Sequence, residues 1–319
     1  MELETHAMQG MDREALRRLS RRSNARGLAQ LALHAALICA TGTLVWASRG
    51  RGWLPAAVIL HGLVLNFVFC ALHESVHRTA FASRRINDAV AWICGAVLML
   101  PAEYFRLFHF AHHRFTQDPA RDPELAQLPP ATLAGYLWRA SGLPNWYKRL
   151  TITLRHALTG RVTEPFIPPA KAGLIVREAR VLWGCYAAIF LLSLILRRDD
   201  ALVYWVLPVM AGQPFLRLFL LAEHAGCPML EDMYANTRTT YTNGAVRLLT
   251  WQMSFHVEHH AFPAVPFHAL AQVNALIRDR IEVSAPGYLA VHRAMIRRFL
   301  AYGRSAGSTL RGSSANSRR

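Results

Sequence analysis

The tightest constraint on the fold is the near absence of charge from long stretches of the chain. Gly27 to Ser48 runs 22 residues without an Asp, Glu, Lys or Arg, and Leu54 to Leu72 runs 19. At about 1.5 Å of rise per residue, each run as a helix matches a hydrocarbon core of roughly 30 Å. Both are read as membrane-spanning helices. Two shorter uncharged runs follow: Val181 to Leu196, and Ala201 to Leu216, the latter continuing past Arg217 to Ala222. Arg177, Arg180, Arg197 and Arg198 at their ends can snorkel to the headgroups and lengthen the effective span. A fifth run, Ala89 to Ala102, is only 14 residues long and ends at Pro101 and Glu103, which suits an interfacial or re-entrant helix. Buried helices of a large soluble core are the competing interpretation, and four such segments in one chain argue against it.

Composition agrees with this reading. Hydrophobic residues make up 53% of the chain and charged ones 18%, too apolar for disorder over most of its length. The formal charge of +16 would suit anionic lipid, nucleic acid or an acidic protein; the spans select the membrane, and no nucleic-acid role is expected. Arg17, Arg18, Arg21, Arg22 and Arg26 place the N-terminus on the cytoplasmic side by the positive-inside bias, and no removable signal peptide is expected there. Three parts follow: a basic cytoplasmic segment (1–26), a membrane domain (27–302) and a Ser-, Gly- and Arg-rich tail (303–319) expected to be disordered. The five cysteines, four of them within apolar segments, form no C-x-x-C pair and are read as small hydrophobes. There is no internal repeat, no Gly-rich phosphate loop and no G-x-S-x-G.

Histidine carries the functional information. Of the 15 histidines, eight fall into three clusters: His73 with His77; His109, His112 and His113; and His256, His259 and His260. Residues at i, i+3 and i+4 share a helix face, so each cluster can aim its imidazoles at one point. Between His113 and His256 lie two spans, so the chain returns to the same membrane face. His224 emerges there directly after the last span and becomes a ninth candidate ligand. By the same parity, Ala89 to Ala102 cannot cross completely. His34 and His61 lie mid-span and are read as packing residues with hydrogen bonds; His6, His156, His268 and His292 stand alone and receive no role.

Nine neutral imidazoles exceed what one metal accepts, so two ions are implied. Imidazole suits iron, copper, zinc and nickel alike. Histidine clusters at the ends of membrane helices lie beside a lipid-accessible interior, where a long hydrocarbon can enter. An unactivated C–H bond offers acid–base or Lewis-acid catalysis nothing to act on, so oxygen activation by a redox pair such as iron is the sensible use. Glu74, Glu223, Glu258, Asp118 and Asp122 are the carboxylates placed to orient ligand histidines, although each, taken singly, is expected to be a solvated or salt-bridged surface group. A metal transporter or storage protein also combines histidines with spans, but would put its ligands inside the spans along a pathway.

The ordered pattern H-x-x-x-H, H-x-x-H-H, H-x-x-H-H resembles the membrane fatty acid desaturase superfamily from about Gly62 to Leu270. The stretch from Phe255 to His268 (FHVEHHAFPAVPFH) is its most specific part; Ala71 to His77 resembles the first box, and His109 to Arg114 followed by Asp118-Pro119 the second. The resemblance implies an all-α integral membrane protein with four transmembrane helices, an interfacial helix and a cytosolic histidine-rich cap. It also implies nine ligands to a diiron centre, with His224 at the position of the family's additional histidine. The implied reaction uses O2 and two electrons to desaturate a fatty acyl chain of a lipid, or, in relatives, to hydroxylate or ketolate a lipid, carotenoid or alkane. With no haem motif and no dinucleotide fingerprint in the chain, the electrons are expected from an external donor, a ferredoxin or a cytochrome b5-like protein with its reductase.

Overall fold

The computed structural model describes residues 12–127 and 129–315. A short amphipathic helix, α1 (Arg13–Leu19), is capped by Asp12, whose carboxylate accepts from the Glu14 and Ala15 amides. It leads into α2 (Asn24–Ser48). Next come α3 (Leu54–Asn66) and α4 (Val68–His77), which form one apolar column with a break at Phe67. The reversal is α5 (Arg84–Val97) and α6 (Ala102–Phe115); α7 (Leu133–Ala140) and α8 (Leu143–Thr159) follow. The third column is α9 (Ala172–Leu196), and the fourth is a π-helical turn, Leu202–Val206, running into α10 (Leu207–His224). The remainder forms the cap: α11 (Gly244–Leu249), α12 (His256–Ala261), α13 (Leu270–Ile277) and α14 (Tyr288–Ala315). The cap also holds one parallel bridge of two-residue strands, β1 (Thr239–Thr240) and β2 (Ser284–Ala285).

Among the described residues, four helices are long and apolar enough to cross a membrane: Asn24–Ser48, Leu54–His77, Pro169–Leu196 and Leu202–His224. On α9 the residues Phe190, Leu191, Leu194 and Ile195 are all exposed, as a lipid-facing surface must be. The third column begins nine residues before the uncharged run that marks it in the sequence. Its extra turns carry Glu178, which is buried because its carboxylate accepts from the Glu103 amide at the start of α6. The central crossing is α3 against α10. A Cβ added to Gly62 would lie 2.0 Å from the Pro208 carbonyl oxygen, and one added to Gly212 would lie 2.1 Å from the Gly62 backbone. The two backbones touch because neither residue has a side chain, the small-residue contact favoured where no hydrophobic force drives helices together.

The short apolar run is not part of one straight span. α5 and α6 are bent 100° from one another. Leu100 N–H bonds to Gly95 C=O at 2.8 Å, Met99 takes a left-handed φ of 53°, and Pro101 begins the next helix, a Schellman-type stop. The element expected to be interfacial or re-entrant is a bent helix pair, and its second arm carries the second histidine cluster.

His34 and His61 pack as expected and also tie elements together. His34 Nε2 lies 3.0 Å from Val64 O, and its Nδ1 accepts from Trp251 Nε1 at 3.2 Å. His61 joins Thr41 to the Tyr204 carbonyl. His156, His268 and His292 are not isolated: they meet Glu164, Arg26 and Tyr136 respectively. His6 lies outside the described residues. α14 is described as far as Ala315.

Candidate metal centre

Each histidine cluster sits at a helix end whose termination is fixed locally. α4 stops immediately after His77 because Arg78 adopts a left-handed φ of 59° and Thr79 N–H reaches back to Glu74 C=O at 3.2 Å. α6 ends when the Thr116 hydroxyl bonds to His112 C=O at 2.7 Å. α12 follows a turn in which Trp251 and Gln252 both have positive φ, and the fully buried Trp251 ring anchors that turn to His34. α10 delivers His224 as its last residue.

These ends bring all nine predicted histidines together in two abutting groups. In the first, one nitrogen from each of His73, His77, His109, His113 and His259 lies within 4.8 Å of the others; His112, His224 and His260 form the second on the same criterion. His256 joins the second group through its Nε2, 3.1 Å from His224 Nε2. The groups touch where the His113 and His260 rings stack, with centroids 4.2 Å apart.

The hydrogen bonds decide which nitrogens carry protons. His112 Nδ1 lies 3.0 and 3.1 Å from the two oxygens of Asp122, and a carboxylate only accepts, so the proton is on Nδ1. His224 Nδ1 faces the Asn236 carbonyl at 3.3 Å and is assigned its proton likewise. The Nε2 atoms of His112 and His224 therefore both present lone pairs, yet they lie 3.2 Å apart. That opposition calls for positive charge between them, a proton or a cation. In the first group His113 Nε2 lies 3.0 Å from both His109 Nε2 and His259 Nε2. Nitrogens on His73, His77, His259 and His260 are buried without a partner. Five imidazoles, three of them buried and two half-buried, converging in this way cannot satisfy one another, but they match the donor set of a metal.

The electrostatics point the same way. Burial pushes the His256, His259 and His260 imidazoles well below their ordinary value, keeping them neutral and able to ligate. At His112 burial acts downward too, but the Glu124 and Asp122 carboxylates outweigh it and raise the value.

The carboxylates correct the surface expectation. Asp122 is buried against His112 and also accepts from the Gln117 and Glu124 amides. Glu223 is buried, with Oε1 3.4 Å from His256 Nδ1, close to the ring without an aligned hydrogen bond. Glu74 accepts from Thr79 and from the Phe267 amide; Glu258 accepts from Thr239 and Asn274. These two brace the site without meeting an imidazole. They are buried because the helix turn that points a histidine inward carries its neighbour into the cap behind it. Only Asp118 is the expected surface group, paired with Arg121. Gln117, Asn236 and Asn274 were not foreseen. Gln117 adjoins the second cluster in sequence; Asn236 and Asn274 carry no sequence signal.

A cavity of about 190 Å³ opens beside the second group. Phe69, Phe105 and Leu220 line both it and a smaller recess reaching His73, His109 and His256.

Known proteins are consistent with this arrangement. A dihydrorhizobitoxine desaturase of Bradyrhizobium elkanii is 27% identical over 75% of this chain and 70% of its own. A sphingolipid delta(4)-desaturase of Drosophila melanogaster is 26% identical over 71% and 67%. A sphingolipid delta(4)-desaturase/C4-monooxygenase of Rattus norvegicus is 25% identical over 69% and 65%. Residues 51–292, which contain all nine clustered histidines and every span but the first, match the model of the fatty acid desaturase family, so this chain belongs to the fatty acid desaturase family.

Proposed function

We propose that the protein is an oxygen-dependent diiron enzyme that desaturates a fatty acyl chain, with its site on the cytoplasmic side. The observation that carries this reading is the pair of abutting imidazole groups, with the His112 and His224 lone pairs opposed at 3.2 Å. His73, His77, His109, His113 and His259 would hold one iron, and His112, His224, His256 and His260 the other. Bound there, the irons supply the O2 activation that an unactivated C–H bond requires. Two hydrogens leave adjacent carbons; with O2, two further electrons and two protons, the products are a double bond and two waters.

The protein's own residues do the positioning. Asp122 holds the His112 proton on Nδ1, and the Asn236 carbonyl does the same for His224. Phe69, Phe105 and Leu220 keep the entry to the recess apolar, which admits hydrocarbon and disfavours water. The electrons come from an external ferredoxin or cytochrome b5-like donor, drawn to the basic N-terminal segment.

Lipid profiling of a host expressing the chain, together with iron analysis of the purified protein, tests the proposal. New double bonds and about two irons per chain, as expected for nine imidazoles, support it. Zinc in place of iron with no new product would sink it, and new hydroxyl groups would redirect it to hydroxylation, an activity named alongside desaturation for the Rattus norvegicus relative.

A further inference from the structure

Three helix faces meet around the cavity, each at the i, i+3, i+4, i+7 spacing of a single stripe. From α6 and its N-cap come Pro101, Tyr104, Phe105 and Phe108; from α8 come Asn145, Lys148, Arg149 and Ile152; from α10 come Arg217, Leu220, Leu221 and His224. The first stripe is what an alkyl chain needs. The other two carry charge, and with Arg139 the wall holds four cations against one carboxylate, Glu124. Glu124 lies toward the metal site, its Oε2 3.9 Å from His112 Nδ1. Lys148 feels the Glu124 and Glu164 carboxylates without forming an ion pair with either, and a purely hydrocarbon ligand would leave this enclosed ammonium without a direct partner, which is costly.

Two of the cations are already positioned. Arg149 Nη1 donates to Leu98 C=O at 3.0 Å, and Arg217 Nη1 donates to the Asn145 side chain at 3.1 Å. Lys148, half-buried and one turn beyond Asn145, makes no hydrogen bond or ion pair with any described residue. Burial pushes its ammonium below the ordinary value, a cost that a bound anion would relieve. Arg217 precedes His224 by seven residues, about 10 Å of helix rise, with Leu220 and Leu221 between. The cavity thus has a cationic end and a histidine end joined by an apolar wall.

We propose that Lys148, supported by Arg149 and Arg217, binds the anionic head, carboxylate or phosphate, of a single-chain amphiphile whose hydrocarbon part extends along Phe105 and Leu220 to the histidines. This rests on the reading of the histidine centre as a desaturase site. It assigns the substrate class as an acidic amphiphile.

The test is binding, which needs no turnover. The full-length protein in phosphatidylcholine nanodiscs is titrated with radiolabelled dodecanoate, dodecyl phosphate and dodecanol, with uptake by protein-free nanodiscs subtracted. Wild type should bind at least one anion about tenfold more tightly than the alcohol, the scale of one charge-assisted hydrogen bond. Lys148→Met should abolish that preference, Lys148→Arg should keep it, and alcohol binding should be unchanged throughout. The tighter anion identifies the head as carboxylate or phosphate. Equal affinity of wild type for all three ligands, or a Lys148→Met variant that weakens all three alike, overturns the proposal. Anion preference without any unsaturated product would sink the desaturase reading alone; unsaturated product without anion preference would sink this one alone.

Discussion

Asp122→Asn is the sharpest test of how the centre is held. Both carboxylate oxygens are in use: Oδ1 accepts from the Glu124 amide at 2.9 Å and lies 3.0 Å from His112 Nδ1, while Oδ2 accepts from the Gln117 amide at 2.9 Å and lies 3.1 Å from the same nitrogen. The substitution preserves shape, so no cavity forms. Whichever way the new amide turns, its NH2 group opposes a backbone N–H, and one buried donor loses its acceptor at a cost of about 1–3 kcal/mol. His112 also loses the ionised partner that fixes its tautomer, a change worth about 10- to 100-fold in metal affinity, or roughly 1.4–2.7 kcal/mol. The assay is iron retained by the purified protein across a series of chelator concentrations, with thermal melts of the loaded and stripped forms. The variant should lose iron at a chelator concentration lower by that factor, and its stripped form should melt below the stripped parent. Identical retention at every chelator concentration would show that Asp122 does not govern the tautomer, and the argument from opposed lone pairs would fail.

Three further outcomes are expected. His259→Ala, which removes the ring 3.0 Å from His113 Nε2, should abolish product and lower iron content while membrane insertion is retained; normal iron and normal product would count against the first group. Gly62→Ala drives a methyl group to 2.0 Å from the Pro208 carbonyl oxygen and should destabilise by about 3 kcal/mol or more, read from the midpoint of unfolding in mixed micelles; an unshifted midpoint would mean that the crossing is looser than described. Burial pushes the Glu164 carboxyl up, but the bond from His156 and the charge of Arg155 outweigh this and lower it from 4.5 to about 2. A lowered carboxyl contributes stability present above pH 4.5 and lost as pH falls toward about 2, so Glu164→Gln should flatten the fall of melting temperature across that window, and an unchanged slope would refute the pairing.

The elements most legible in the sequence were those governed by local rules. Uncharged runs marked the four columns, because a charged side chain is costly in the hydrocarbon core, and the need to satisfy every backbone polar group within the segment makes such a run a helix. The i, i+3, i+4 spacing marked eight of the nine histidines that gather in the structure, and the even number of intervening spans added His224. Less legible were features set by packing between distant segments. The start of α9 depends on the bond from the Glu103 amide to Glu178, 75 residues away in sequence, and so escapes a count of uncharged residues. The carboxylates beside the ligands read as surface groups because sequence adjacency does not reveal which way a helix turn faces.

The sequence alone determined that this chain enters a membrane and that its imidazoles gather on one side of it, since periodicity and the hydrophobic match of helix to bilayer are properties of short segments. The tertiary structure decided how nine imidazoles divide into groups of five and four, that the Asp122 carboxylate faces the His112 ring, and that Arg139, Lys148, Arg149 and Arg217 line the same cavity as His224. Each of these depends on side chains from separate helices meeting within hydrogen-bonding range, and such distances are fixed by the packing of whole helices rather than by any one of them.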